Sequence, residues 1–162
     1  YYIPFDARPT TAPTQPSAST DGGATNKQYG YHYNWCAATG VQPTACSNSA
    51  VDSSYDTAVS ICPAGWRLPS SSSGGGDFQS LVAAIGATNN AAGATVLRST
   101  WLSQYSGSWL VGFSGLGGNG YFWSSTQNSS SAVYLLNVNS STVNTLYVNG
   151  KYYGISVRCV AV

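Results

Sequence analysis

This 162-residue chain has little charge: Asp, Glu, Lys and Arg make up 7% of it, against about 25% in an ordinary soluble domain. Glu is absent, so Asp6, Asp21, Asp52, Asp56 and Asp77 supply every side-chain carboxylate. The six basic residues, Arg8, Lys27, Arg67, Arg98, Lys151 and Arg158, are spread along the chain and leave a formal net charge of +1. A nucleic-acid surface gathers several Lys and Arg against phosphates, so no nucleic acid is expected as a partner. A glycosidase needs two carboxyls across a cleft, and every Asp precedes residue 78 in loops or at a helix cap. His32 is the only His and there is no GxSxG elbow, which argues against Ser-His-Asp chemistry. The glycines at 115, 117 and 118 lack the GK[ST] of a phosphate loop. The chain therefore reads as a non-enzyme with no cofactor. No run of about 18 apolar residues is available to span a membrane. Met is absent and no signal peptide is recognisable, so the chain reads as a mature or excised product that has lost its targeting segment.

Neutral polar groups take the place of charge. Ser, Thr and Asn number 25, 14 and 11, while 13% of residues are aromatic, including 12 Tyr. Disordered chains are poor in aromatics, so a folded domain is expected, with a surface of hydroxyl, amide and phenol groups like that of antibody paratopes. Four cysteines, Cys36, Cys46, Cys62 and Cys159, form no CxxC pair. Their even number fits two structural disulfides in an oxidising, extracellular or cell-surface location, and no metal site is expected. All three pairings are open from the count alone.

Residues 1–26 hold four of the seven prolines among Thr, Ser and Ala. Pro fixes φ and removes a donor, so this stretch reads as an extended arm or linker before a domain at 27–162. Its apolar tip, Tyr1, Tyr2, Ile3 and Phe5, is a candidate docking element for this domain or a neighbouring subunit. Tyr29, Tyr31 and Tyr33 alternate with Gly30, His32 and Asn34, a strand pattern that turns His32 away from the Tyr face as a structural residue. Residues 37–60 read as irregular. Phe78, Leu81, Val82 and Ile85 fall at helical spacing, with Asp77 as the cap and Gly86 as the stop; a weaker helix covers about 91–99. Four short strands follow, at 121–125, 133–139, 145–149 and 154–160. Alternation sets Tyr134, Leu136 and Val138 against Leu135, Asn137 and Asn139, and Leu146 and Val148 against Thr145, Tyr147 and Asn149. The Leu and Val side is assigned to the core, which leaves the Asn and Tyr side as an exposed, uncharged surface.

YNWCAATG (33–40), ICPAGWRLP (61–69), GYFWSST (120–126) and GISVRCV (154–160) occur in that order. In order and spacing they resemble the FISUMP-type major paralogous domain, over roughly residues 29–162. The resemblance implies an α+β, C-type-lectin-like fold with one or two helices and a twisted antiparallel sheet, stapled by disulfides; variable proteins of diversity-generating retroelements and formylglycine-generating enzymes share that fold. It implies a Cys62–Cys159 bridge, leaving Cys36 with Cys46, and a scaffold role for Trp66, Leu68, Trp123, Val157 and Val160. It departs from the calcium-dependent lectins: with no Glu and no Asp after Asp77, the oxygen ligands that Ca²⁺ requires are missing.

Two functions are expected. The first is an extracellular, surface-displayed binding or adhesion module that recognises a glycan or protein without calcium, with Asn137, Asn139, Tyr147, Asn149 and Tyr152 as the contact residues. The alternative is a structural subunit of an extracellular filament or surface layer, whose partners are copies of itself and whose arm docks on the next subunit.

Overall fold

A computed structural model of the chain describes residues 31–40, 60–87, 89–101, 105–110 and 112–162, with three short strands between residues 17 and 25. The apolar tip Tyr1, Tyr2, Ile3 and Phe5, and Cys46, lie outside the described residues. In chain order the elements are β1 (Ser17–Ala18), β2 (Thr20–Asp21), β3 (Ala24–Thr25), β4 (Tyr31–Tyr33), α1 (Trp35–Thr39), β5 (Trp66–Arg67), α2 (Asp77–Ala84) and α3 (Ala91–Trp101). They are followed by β6 (Ser108–Trp109), β7 (Phe113–Ser114), β8 (Asn119–Gln127), β9 (Ala132–Asn139), β10 (Val143–Gly150), β11 (Ile155–Ser156) and β12 (Val160–Ala161). The architecture is α+β, dominated by one six-stranded sheet in the order β1-β4-β11-β8-β9-β10.

That sheet is antiparallel except where β11 meets β8 in parallel, Ser156 opposite Phe122. This departs from the all-antiparallel expectation. Three small two-stranded pairs, β12-β5, β2-β3 and β6-β7, surround it. β1 places part of the Pro-rich arm at the sheet edge, with Ser17 opposite His32 and Ala18 opposite Tyr31. An edge is where a Pro-rich segment can pair, because its missing donors face solvent.

Apolar residues on both faces of β9 explain the layering. Val133 and Leu135 join Trp123 and Ile155 in one core with Trp35, Cys36, Ala38, Ile61, Cys62 and Leu68. Leu136 and Val138 join Phe122 and Val143 in a second core with Phe78, Ala94 and Leu97. The central sheet is thus covered by α2 and α3 on one face and by α1 with the Cys62 loop on the other. The sequence assigned a single core face; the structure corrects this, because a strand in the middle of a covered sheet is apolar on both sides.

Three helices form among the described residues, one more than the upper expectation. The addition is α1, where Asn34 caps the start by accepting from Ala37 N at 2.8 Å and Gly40 ends it at φ 72°. All five of its residues are buried, so it carries no amphipathic period from which it could be recognised. α2 forms over the expected segment, with a correction at its start. Gly76 occupies the N-cap and Asp77 is the first helical residue. A Cβ at Gly76 would stand 2.9 Å from the Ser70 carbonyl oxygen, so only glycine fits between the helix start and that loop. Asp77 instead turns to the preceding loop, accepting from Ser70 N at 2.7 Å and from Arg67 Nη2 at 2.9 Å.

The motifs 61–71 and 120–126 dock on each other. Ser125 N donates to the Pro69 carbonyl at 2.8 Å and Ser71 N to Thr126 Oγ1 at 3.0 Å. Two buried indoles lock the centre: Trp35 Nε1 donates to Ser124 O at 2.8 Å, and Trp123 Nε1 to Tyr33 O at 2.7 Å. Leu68 and Trp123 are core residues as expected and Val157 packs against that core, whereas Trp66 is exposed. Cys62 and Cys159 are bridged, with Cα atoms 5.8 Å apart, the pairing that the resemblance implies. Cys36 is also disulfide-bonded; its expected partner Cys46 lies outside the described residues.

Candidate functional site

The five expected contact residues lie on β9, β10 and the turn after it, and the fold treats them differently. Asn137 is buried and reaches Gly120 O only at 3.5 Å, which corrects the expectation that it is exposed: it faces Tyr121 across the β8–β9 ladder. Asn139 builds the β9–β10 turn, its Oδ1 accepting from Ser141 N and Thr142 N, both at 2.9 Å. Asn149 Oδ1 accepts from Gly150 N at 2.9 Å. Tyr147 is exposed, and Tyr152 is half-buried beside Tyr153.

Register brings one further aromatic to this place. Tyr121 faces Asn137, Trp123 faces Leu135 and Tyr147 faces Leu135, so Tyr121 on β8 and Tyr147 on β10 project from the same face on either side of β9. Their rings lie 5.7 Å apart, centre to centre. Tyr152 and Tyr153 stack at 4.8 Å, and Tyr121 and Tyr153 both pack against the core of Trp123 and Leu135. Four phenols therefore gather around the β10 edge of the sheet. Desolvation, reinforced by Tyr147, pushes the Tyr121 hydroxyl above its ordinary value; desolvation, reinforced by Tyr152 and Tyr147, does the same at Tyr153. Both are neutral donors and acceptors at physiological pH.

The sequence reading missed Tyr121 and Tyr153 as members of this group. For Tyr121 the signal was the alternation in YFWSS, which puts it on the face of Trp123; only the cross-strand register shows that Tyr147 shares that face. β10 is exposed at Leu146 (37%), Tyr147 (37%) and Val148 (41%), with Val148 on the opposite face from Tyr147 because it pairs with Tyr134. Alternation alone places Leu146 and Val148 in the core, and two features account for the correction. A bulge between Asn144 and Tyr147 breaks the alternation of β10, and the α2–α3 core reaches Val143 without including Val148.

The chain has no charged residue and no His from 99 to 150. The nearest charge along the chain is Lys151, 2% exposed beneath the patch. Its Nζ donates to Gln127 Oε1 at 2.8 Å and Ser130 O at 2.6 Å and lies 5.1 Å from the centre of the Trp35 ring. Those three contacts match the three donors of an ammonium. Desolvation lowers its pKa from the usual lysine value. What the patch offers a ligand is stacking surface and neutral hydrogen bonds.

His32 lies elsewhere and is closed to solvent. Its Nε2 donates to Ser106 O at 2.9 Å, Ser106 Oγ is 2.8 Å from Ser156 Oγ, and Phe113 meets the ring edge-on at 5.2 Å. Among the described residues no three His, Cys, Asp or Glu side chains gather to hold a metal ion, and no helix is long and apolar enough to cross a membrane. Comparison with family models, with curated proteins and with solved structures finds no match for this chain.

Proposed function

We propose that this chain is an extracellular, surface-displayed binding or adhesion module of the C-type-lectin-like, FISUMP-type class. It recognises a glycan or a protein through the Tyr121, Tyr147, Tyr152 and Tyr153 patch, without calcium. The observation that carries the reading is the convergence of these four phenols towards the β10 side of the sheet, with Tyr147 exposed and the other three half-buried around it. Rings anchored by neighbouring rings lose little side-chain entropy when they stack on a sugar or a peptide. Calcium has no role because β8, β9, β10 and the turn to Tyr153 carry no Asp or Glu, and Ca²⁺ is held chiefly by carboxylates. The Cys62–Cys159 bridge fits an oxidising location. The test is binding of the intact chain to arrays of glycans and of extracellular proteins in the presence of a chelator. The expected result is retained binding that Tyr147→Ala abolishes while the melting temperature is kept; binding that needs calcium, or that survives Tyr147→Ala unchanged, overturns the reading.

A second reading, the filament or surface-layer subunit, draws support from β1, because residues of the arm already pair at a sheet edge. It predicts that the full chain forms regular fibres and that a chain beginning at Lys27 does not, as judged by negative-stain microscopy.

A further inference from the structure

β10 is one edge of the main sheet, and the hydrogen bonds of its neighbours reveal which of its backbone groups face outward. In an antiparallel ladder, alternate residues turn both backbone groups to the partner strand and the residues between turn them away. Lys151 N donates to Ser131 O, so Lys151 points inward, as does Asn149, while Val148 and Gly150 point to the open edge. The same rule applied from the Asn139 N to Thr142 O bond turns Val143 outward.

This edge is closed at several points by side chains and by the turn that follows β10. Val143 N donates to Asn89 Oδ1 at 3.2 Å, Leu146 N to Asn144 Oδ1 at 2.9 Å, and Gly150 N to Asn149 Oδ1 at 2.9 Å. Ser71 Oγ donates to the Thr145 carbonyl, and Tyr153 N to the Gly150 carbonyl at 3.2 Å. Val148 is left with its N–H and its C=O both facing out and no partner among the described residues. Around it lie the exposed Leu146 and Tyr147. Capping of this kind blocks open-ended strand addition, yet one residue stays open.

We propose that this opening takes a second copy of the chain, in a two-fold dimer that sets Val148 against the second copy's Val148. A single residue offering one donor and one acceptor is self-complementary under a two-fold axis: each N–H meets the other C=O, and the pair closes on itself. An extended peptide from another protein draws its affinity from a run of main-chain hydrogen bonds, which the Asn, Ser and Tyr caps deny it. Apolar surface at Leu146, Tyr147 and Val148 is doubled across the axis, and β10 itself carries no Asp, Glu, Lys or Arg, so the two strands bring no like charges together. The axis is perpendicular to the sheet, so the two phenol patches come to lie side by side on one face. Each Tyr147 is then opposite the second copy's Asn149. The dimer stands on the backbone of β10 alone and does not depend on the binding reading; its test reads mass, so either idea can fail without the other.

Sedimentation of the full chain from micromolar to near-millimolar concentration is expected to show a monomer–dimer equilibrium and nothing larger. Val148→Pro removes the outward N–H without touching the β9 ladder, and raises the dissociation constant about tenfold or more. Val148→Lys and Val148→Glu each place like charges in direct opposition and are monomeric, whereas their equimolar mixture regains the dimer. Val148 is exposed, so these variants keep the wild-type melting temperature. A wild-type chain that stays monomeric or grows into open-ended assemblies overturns the dimer, as does a Val148→Lys chain that associates like wild type or a mixture that stays monomeric.

Discussion

Replacing Lys151 tests how a protein with so little charge keeps an ammonium in its interior. Burying an ion costs several kcal/mol even when it is well hydrogen-bonded, and here the acceptors are the Gln127 amide and the Ser130 carbonyl, with no carboxylate. Lys151→Ala removes the packed stem and strands both acceptors in a buried place. Stem loss costs on the order of 2 kcal/mol and the lost hydrogen bonds, after the charge is relieved, about 1 to 2 kcal/mol, so a net loss of about 3 to 4 kcal/mol is expected. Lys151→Met fills the same volume without the charge. Two charge-assisted hydrogen bonds are lost at about 1.5 to 3 kcal/mol each, and relief of desolvation offsets most of that, which leaves Met within about 1 to 2 kcal/mol of wild type. The sign of the pH dependence follows from the lowered pKa. Between the folded value and the ordinary 10.5 the unfolded chain holds more protons than the folded one, so wild-type stability gains on the Met variant as pH rises through that window. Urea denaturation of the three proteins at neutral pH and near pH 10 measures both effects. If Met is as damaging as Ala, or if the gap between wild type and Met ignores pH, the reasoning is wrong.

Three further outcomes follow from the same structure. Replacing Cys62 and Cys159 together by Ala opens a bridge of sequence separation 97, for which loop-closure entropy sets an upper limit of about 4 to 5 kcal/mol; reducing agent added to the wild type in a thermal melt should reproduce part of that loss. Hydrogen bonds from Arg67 hold the Asp77 carboxyl well below its ordinary range, against desolvation and with help from Ser70. The stability this supplies is present above the unfolded carboxyl pKa and is lost as pH falls towards the folded one; because Arg67 is 39% exposed, it amounts to about 1 kcal/mol, and Asp77→Asn should flatten the acid limb of the stability curve by that amount. Tyr121 and Tyr153 keep their protons longer in the folded chain than in the unfolded one, so stability should fall as pH passes the ordinary phenol value of 10.0. Absorbance titration of Tyr121→Phe should then lack one late-ionising phenol.

Local patterns that do not need a partner strand were legible in the sequence. α2 was readable because Phe78, Leu81, Val82 and Ile85 repeat at the helical period, and the strand at Tyr31–Tyr33 because His32 and its neighbours alternate; His32 is buried while Tyr31 is exposed, as that alternation implies. α1 was not readable, since a helix buried on every side has no polar face. Leu146 and Val148 were misplaced for a different reason. Their apolar character says nothing of edge or centre, and the bulge at Asn144/Tyr147 is a property of the pairing with β9 rather than of β10 alone. The phenol patch was half visible: Tyr147 and Tyr152 were identified from alternation and composition, while Tyr121 required the β8–β9–β10 register. Asn137 and Asn139 resemble contact residues in composition, yet one is enclosed and the other holds a turn, because amides are as useful for capping backbone as for meeting a ligand. Trp66 illustrates the converse, a motif residue whose neighbours Leu68 and Pro69 anchor the scaffold while its own ring meets solvent.

The central claim is that ligand meets the phenols of the β8–β10 edge, and aromatic-proton magnetic resonance tests it most directly. The intact chain is titrated with the glycan or protein fragment retained on the arrays, in chelator, with ring signals assigned through single Tyr→Phe variants. The account predicts shifts at Tyr121, Tyr147, Tyr152 and Tyr153, with the rings of Tyr33 and Tyr105 unmoved. Shifts centred on Tyr33, Tyr105 or the exposed Trp66, with the patch silent, would contradict it.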